Sequence, residues 1–274
     1  MVPFGRKLPI GIQTFSDIRT QGYLYVDKTD LVWQIANVGK PYFLSRPRRF
    51  GKSLLISTFE AYFEGKKELF EGLAIEKLED KWEKYPVLHM DLNARRYECA
   101  DDLIAMLNQF LEKWEAIYGA EKQDRAPEER FGYVIQKAYE KTGKGVVVLI
   151  DEYDKPILNN IGKAEISDVL TCMKSFYSVI KAFESKLRFA FITGVSKFCH
   201  VSLFSDLNNL TDISMDARYA TMFGYTQEEL EANFADRISA LAGEQEIVDY
   251  KTKIKEWYNG YRFHKNAKTV YNPV

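Results

Sequence analysis

The chain has 274 residues, a formal net charge of −1 and a pI near 6.4, with 46% apolar and 28% charged side chains. That composition builds a sizeable core and excludes a largely disordered chain; it supplies no global basic field, so any nucleic-acid role needs a local patch. The apolar runs are too short for a membrane span and MVPFGRKLPIGIQTF lacks a signal peptide's apolar segment, which makes a cytoplasmic location the default expectation.

Residues 8–40 read as a turn-rich opening and then a helix. Asp27, Thr29 or Asp30 can cap it, Leu31, Val32 and Ile35 form its apolar face, and Gly39 with Pro41 ends it. The stretch YVDKT, 25–29, is a candidate contact for a nucleotide base; alternatively Tyr23, Tyr25 and Val26 simply cover a sheet. PYFLSRPRRFGKSLL, 41–55, then combines a buried strand (Tyr42, Phe43, Leu44), a loop (Ser45 to Phe50) and a helix opening at Gly51-Lys52-Ser53. Such a helix start directs backbone N–H groups and the positive end of its dipole toward an anion. In a phosphate loop the glycine permits close backbone approach, the lysine reaches the outer phosphates and the serine hydroxyl ligates magnesium. Arg48, Arg49, Phe50, Gly51, Lys52, Ser53 and Leu54 are thus candidate nucleotide-phosphate contacts, with Ser53 a candidate Mg2+ ligand. One position departs from G-x-x-x-x-G-K-[ST]: Arg46 replaces the first glycine. With Arg48, Arg49 and Lys52 it places four cations in seven residues, which could neutralise a triphosphate, stabilise charge in cis or in trans, or bind a nucleic-acid backbone.

Further along, VLHMDLN, 87–93, reads as a core strand with Asp91 near its end, either facing a metal site or lying in a surface loop. Apolar positions from Leu103 to Tyr118 trace a helix ended by Gly119, and a second helix, 131–139, stops at Gly143. KGVVVLIDEYDKP, 144–156, is the pattern of a strand buried on both faces, with Asp151 and Glu152 at its C-terminal end. Open α/β sheets place their chemistry there. The division of labour that follows has Asp151 hold the metal's water shell and Glu152 orient and polarise an attacking water, although a solvated turn has the same composition. After a helix over 167–184, LRFAFITGVSKF holds another buried strand with Thr193 at its tip, suited either to touch the γ-phosphate or attacking water or to cap a turn.

The cysteines, Cys99, Cys172 and Cys199, show no CxxC spacing and are expected as reduced thiols. Cys199 adjoins His200, but with only His89 and His264 besides it there is no ligand cluster, and no nucleophile or metal site is expected there. Thr226 and Glu229 form a capping box for a helix over 226–242, and helices to Trp257 suggest a small lobe. YNGYRF, 258–263, is a Gly-centred aromatic turn, and the ending YNPV suggests a piece of a longer protein. Four strand–turn–helix units imply a mostly parallel sheet covered on both faces.

YVDKT, LSRPRRFGKSLL, VVVLIDEYDKP, FITGVSKF and YNGYRF, in this order and spacing, resemble the bacterial AAA-ATPase-like family over essentially the whole chain. The resemblance implies an α/β fold: a three-layer αβα P-loop ATPase of the additional-strand type over 1–222, with the strand of Thr193 between those leading to Lys52 and ending in Asp151. A small helical lobe and the start of a linker occupy 223–274. It implies ATP and Mg2+ as cofactors, Lys52, Glu152 and Thr193 as catalytic groups, and Ser53 and Asp151 at the metal. Family members typically continue into a domain similar to PD-(D/E)XK nucleases, which makes such a domain an expected partner; nucleic acid is not expected to bind through this region alone, and oligomers are possible. The expected activity is a slowly hydrolysing ATPase switch. A catalytically silent scaffold and a nucleic-acid-binding module are the alternatives.

Overall fold

The computed structural model describes residues 5–39, 41–120, 124–197, 203–204, 209–242 and 247–273. Cys199 and His200 lie outside the described residues. Among the described residues five parallel strands form one sheet: β1 (Pro41–Ser45), β2 (Val87–Asp91), β3 (Val146–Asp151), β4 (Leu187–Gly194) and β5 (Thr211–Asp212), in the order β2-β3-β4-β1-β5. β4 therefore lies between β1 and β3. Parallel neighbours need long crossovers. The helices are α1 (Phe15–Thr20), α2 (Thr29–Val38), α3 (Lys52–Phe63), α4 (Ala100–Tyr118), α5 (Pro127–Thr142), α6 (Lys155–Asn160) and α7 (Ile166–Ala182). Two more follow, α8 (Gln227–Ala242) and α9 (Ile247–Tyr258).

Side chains alternate across a strand, and here both faces are apolar. Leu88, Met90, Val146, Val148, Ile150 and Ile192 pack under α4, α5 and α7 through Leu107, Val134 and Phe176. On the other face Tyr42, Leu44, Val147, Leu149, Phe189 and Phe191 meet Val32 and Ile35 of α2 and Ile56, Phe59 and Phe63 of α3. Phe59 stands 5.0 Å from both Phe189 and Phe191, ring centroid to centroid, and Phe63 5.0 Å from Phe189. Such pairs contribute roughly 0.5–1.5 kcal/mol each beyond area burial. They fix α3 on the sheet, and with it the loop that enters α3.

Local chemistry sets the ends. Asp27 accepts from the backbone N–H of Thr29 at 2.9 Å and from its hydroxyl at 2.7 Å, starting α2, and Gly39 ends it at φ 71°. Pro127 opens α5 and Gly143, φ 65°, closes it; the polar first turn hides this start from an apolar stripe. The capping box is present: Glu229 accepts from Thr226 N–H at 2.8 Å and Thr226 Oγ1 from Glu229 N–H at 3.3 Å. β2 stops at Asp91, two residues before the expected end, because the Asp91 carboxylate accepts from Asn93 N–H at 2.8 Å and turns the chain. β5 has only two residues and no apolar run, so the sequence offers no sign of it. Leu230, Ile238 and Tyr271 form a small core joining α8 to the chain end. Among the described residues no helix is long and apolar enough to cross a membrane.

Candidate phosphate-binding site

The alternation that buries Val147 and Leu149 under α3 continues to Asp151, and that of Phe189 and Phe191 continues to Thr193. Both polar groups thus end their strands on the face covered by the helix that Lys52 and Ser53 begin. Leu44 of β1 pairs in register with Thr193, and Asp91 of β2 with Asp151. The row lies at the C-terminal edge of the sheet, between the central strands.

Between Ser45 and Lys52 the chain turns by placing Arg49 (φ 66°) and Gly51 (φ 89°) in the left-handed region. Arg46 is not left-handed, so a side chain is tolerated where the pattern has glycine. For an arginine a positive φ is uncommon and costs on the order of 1–2 kcal/mol. Gly51 stands at the N-cap of α3 with no side chain capping it, leaving the first N–H groups of the helix to a ligand or water.

Lys52 is 4% exposed; its Nζ is 3.2 Å from Glu152 Oε1 and donates to Pro47 O at 3.4 Å. Glu152 reaches it from the tip of β3 in a left-handed conformation, φ 52°. The Asp151 carboxylate is buried and accepts from Glu152 N–H at 2.9 Å, with the Ser53 hydroxyl near enough to favour its ionised form. Burial pushes its pKa up to about 6; the Ser53 hydroxyl works against that, and Glu152 and Asp91 add to it. Thr193 is 1% exposed and, among the described residues, nothing hydrogen-bonds its Oγ1. A buried hydroxyl with no partner is a cost that a bound ligand or water would remove.

Of the four cations expected along the loop, Lys52 faces this row, Arg48 and Arg49 are exposed, and Arg46 turns inward. The Phe50 ring is buried against Tyr261 and Phe263, so toward a phosphate it offers its backbone; Leu54 packs at the edge of the core. YVDKT is occupied structurally: the Tyr25 ring meets Phe15 edge-on, Asp27 accepts from Thr29 at the start of α2 and from Ala74 N–H, and Lys28 pairs with Glu229.

The residues after Glu152 were not expected to matter. Asp154 is fully buried and accepts from Val195 N–H (3.1 Å) and Ser196 N–H (2.5 Å), while Tyr153 N–H donates to Thr193 O at 3.0 Å. Burial raises the Asp154 pKa against those two N–H bonds. Together they fasten the exit of β3 to the exit of β4. A Cβ on Gly194 would fall 2.5 Å from Asp154 Oδ1 and 2.5 Å from the Tyr153 ring, so the position admits only glycine. A third acid two residues after the Asp151-Glu152 pair was the available signal.

The donor set fits Mg·nucleotide. Among the described residues no group of three or more His, Cys, Asp or Glu side chains could cage a metal, but magnesium is bound through one or two carboxylates plus phosphates rather than by an all-protein cage. A central parallel sheet, a glycine–lysine–serine helix start and an acidic strand tip define an α/β protein of the P-loop type. A family model described as predicted AAA-ATPase matches residues 9–204, and the chain belongs to this AAA-ATPase-like family. It is 43% identical over 273 residues to an uncharacterised protein from the region 5′ of vnfD in Azotobacter chroococcum, covering 98% of this chain and 50% of that protein. The chain thus spans about half the length of that relative.

Proposed function

We propose that this chain is an ATP-binding, slowly hydrolysing switch domain that drives a linked effector. The observation that carries the reading is the convergence of Lys52, Ser53, Asp151, Glu152 and Thr193 at adjacent strand and helix ends, with Lys52 and Asp151 buried and Thr193 Oγ1 unpartnered among the described residues. Lys52 Nζ exchanges Glu152 for the outer phosphates, and the α3 N–H groups receive the phosphate oxygens. Ser53 and Asp151 hold Mg2+, which when bound neutralises charge on the phosphate oxygens. Freed from Lys52, the Glu152 carboxylate orients an attacking water and accepts its proton. Thr193 Oγ1 donates to the phosphate or the water. The effector belongs to the part of the protein that corresponds to the rest of the relative's length, and a nuclease-like domain is the expected candidate.

Thermal melting with and without Mg·ATP tests the reading. A ligand at about a hundredfold excess over Kd should add roughly 2.7 kcal/mol to stability. No shift with either ATP or GTP overturns it and leaves a scaffold.

A further inference from the structure

Among the described residues Arg46 is one of the largest fully buried side chains, and it has no carboxylate in contact. Its guanidinium donates to Ser45 O at 2.9 Å, Ser214 O at 2.6 Å and Tyr219 O at 3.4 Å, while Nε has no partner. Its charged carbon lies 3.9 Å from the centroid of the Phe263 ring and 5.5 Å from that of Phe223. Burial lowers its pKa to about 10, with Asp212 acting in the opposite sense. A guanidinium held by carbonyls and ring faces alone gives up much of its hydration, and the three carbonyl acceptors and the close Phe263 face are what offset that cost.

Phe263 comes from the chain's far end. The other end of the same loop is gripped by the same segment: Phe50 meets Tyr261 at 4.8 Å and Phe263 at 5.5 Å, both edge-on. The segment is a hairpin, with Val270 N–H donating to Tyr261 O at 2.9 Å. Tyr271 N–H donates to Tyr225 O at 2.8 Å, and Gly224 permits the approach, since a Cβ there would lie 2.5 Å from Tyr271 O. The loop is thus held at Arg46 and at Phe50 while the residues between them and Gly51 make the strained turn.

We propose that Arg46 is a positioning residue of the phosphate loop and that the hairpin 261–270 is the loop's back wall, so that docking of the hairpin and occupancy of the loop by a nucleotide are coupled. This rests on the nucleotide reading above. The docked hairpin holds the loop in the shape that presents the α3 N–H groups and Lys52. If Phe263 leaves, the Arg46 guanidinium gains access to water, Phe50 loses its cover, and the loop loses both anchors. A nucleotide that selects the formed loop therefore selects the docked hairpin, and the coupling is reciprocal.

The test uses the 274-residue chain and Mg·ADP as probe, measuring Kd and amide hydrogen exchange at Val270 and Tyr271. In the wild type Mg·ADP should slow exchange at both amides by about fivefold or more, the lower range of allosteric coupling. Phe263→Ala should weaken binding by about tenfold, and Phe263→Tyr, which keeps the ring face, should restore it. If the wild type binds no nucleotide, the nucleotide reading fails and the coupling with it. If it binds while exchange at Val270 and Tyr271 is unchanged, or while Phe263→Ala keeps Kd within about twofold, the coupling alone is overturned. The exchange measurement needs no variant, so a Phe263→Ala protein that fails to fold still leaves a decision.

Discussion

Glu152→Gln separates the ligand-free role of this side chain from its proposed role in hydrolysis, because the two predict opposite changes in one protein. Glu152 is paired with Lys52 across 3.2 Å, the lysine side chain being 3% and the glutamate 18% exposed. At that distance and an effective dielectric of about 20 the gross attraction is about 5 kcal/mol, from which desolvation must be subtracted. Removing one partner of a buried pair costs about 3–5 kcal/mol, and the partial exposure of Glu152 with the remaining Pro47 carbonyl argues for a lower cost, about 2–3 kcal/mol. For a chain of this size that lowers the melting temperature by about 4–12 °C. Because the phosphates no longer displace a carboxylate, Mg·ATP should bind at least as tightly as to the wild type, and its stabilising effect on the melting temperature should grow. Hydrolysis should fall by about a hundredfold, the scale of losing a general base. Melting curves with and without Mg·ATP and a single-turnover assay read all three. A variant that melts like the wild type and binds more weakly would refute the competition, and equal single-turnover rates would remove Glu152 from the chemistry.

Lys52→Ala should weaken Mg·ATP by about tenfold to a hundredfold, the worth of a charge-assisted contact, measured by calorimetry; an unchanged Kd would assign the phosphates to Arg48 or Arg49. Asp151 has a folded pKa of about 6 against an ordinary 3.8, so the folded state binds its proton more tightly and this group's contribution falls as pH rises from about 4 to 6. Asp151→Asn should accordingly stabilise the ligand-free protein at pH 7.5 by up to about 3 kcal/mol, lose that advantage below pH of about 4, and abolish the magnesium-dependent part of nucleotide binding; a melting temperature at or below the wild type's at pH 7.5 would contradict it. Gly194→Ala forces a methyl into 2.5 Å contacts with Asp154 and Tyr153 and should destabilise the chain by about 2–3 kcal/mol in urea unfolding, so an unchanged midpoint would show that the β3 and β4 exits are not held as described.

Much of the fold was legible because a strand buried on both faces leaves an uninterrupted apolar run: Val146 to Ile150 and Phe189 to Ile192 could hardly be anything else. Gly51-Lys52-Ser53 and Asp151-Glu152 were legible because their chemistry depends on residue type at a strand or helix end, which local pattern supplies. What pattern does not supply is the direction of a long side chain. Arg46 reads as one more cation of the loop, and only the carbonyls of Ser214 and Tyr219 and the ring of Phe263, all distant in sequence, decide that it turns inward. Asp154 looks like a surface acid after a DE pair until β4 ends beside it. One feature departed from its motif, the arginine in place of a glycine, and the aromatic turn YNGYRF had no role assigned to it. Each accounts for the other: the arginine is tolerated because the turn encloses it, and the turn is rich in aromatics because a guanidinium and Phe50 lie beneath it. A departure from a motif is thus a reason to look for the group that compensates it elsewhere in the chain, before it is taken as loss of the motif's function.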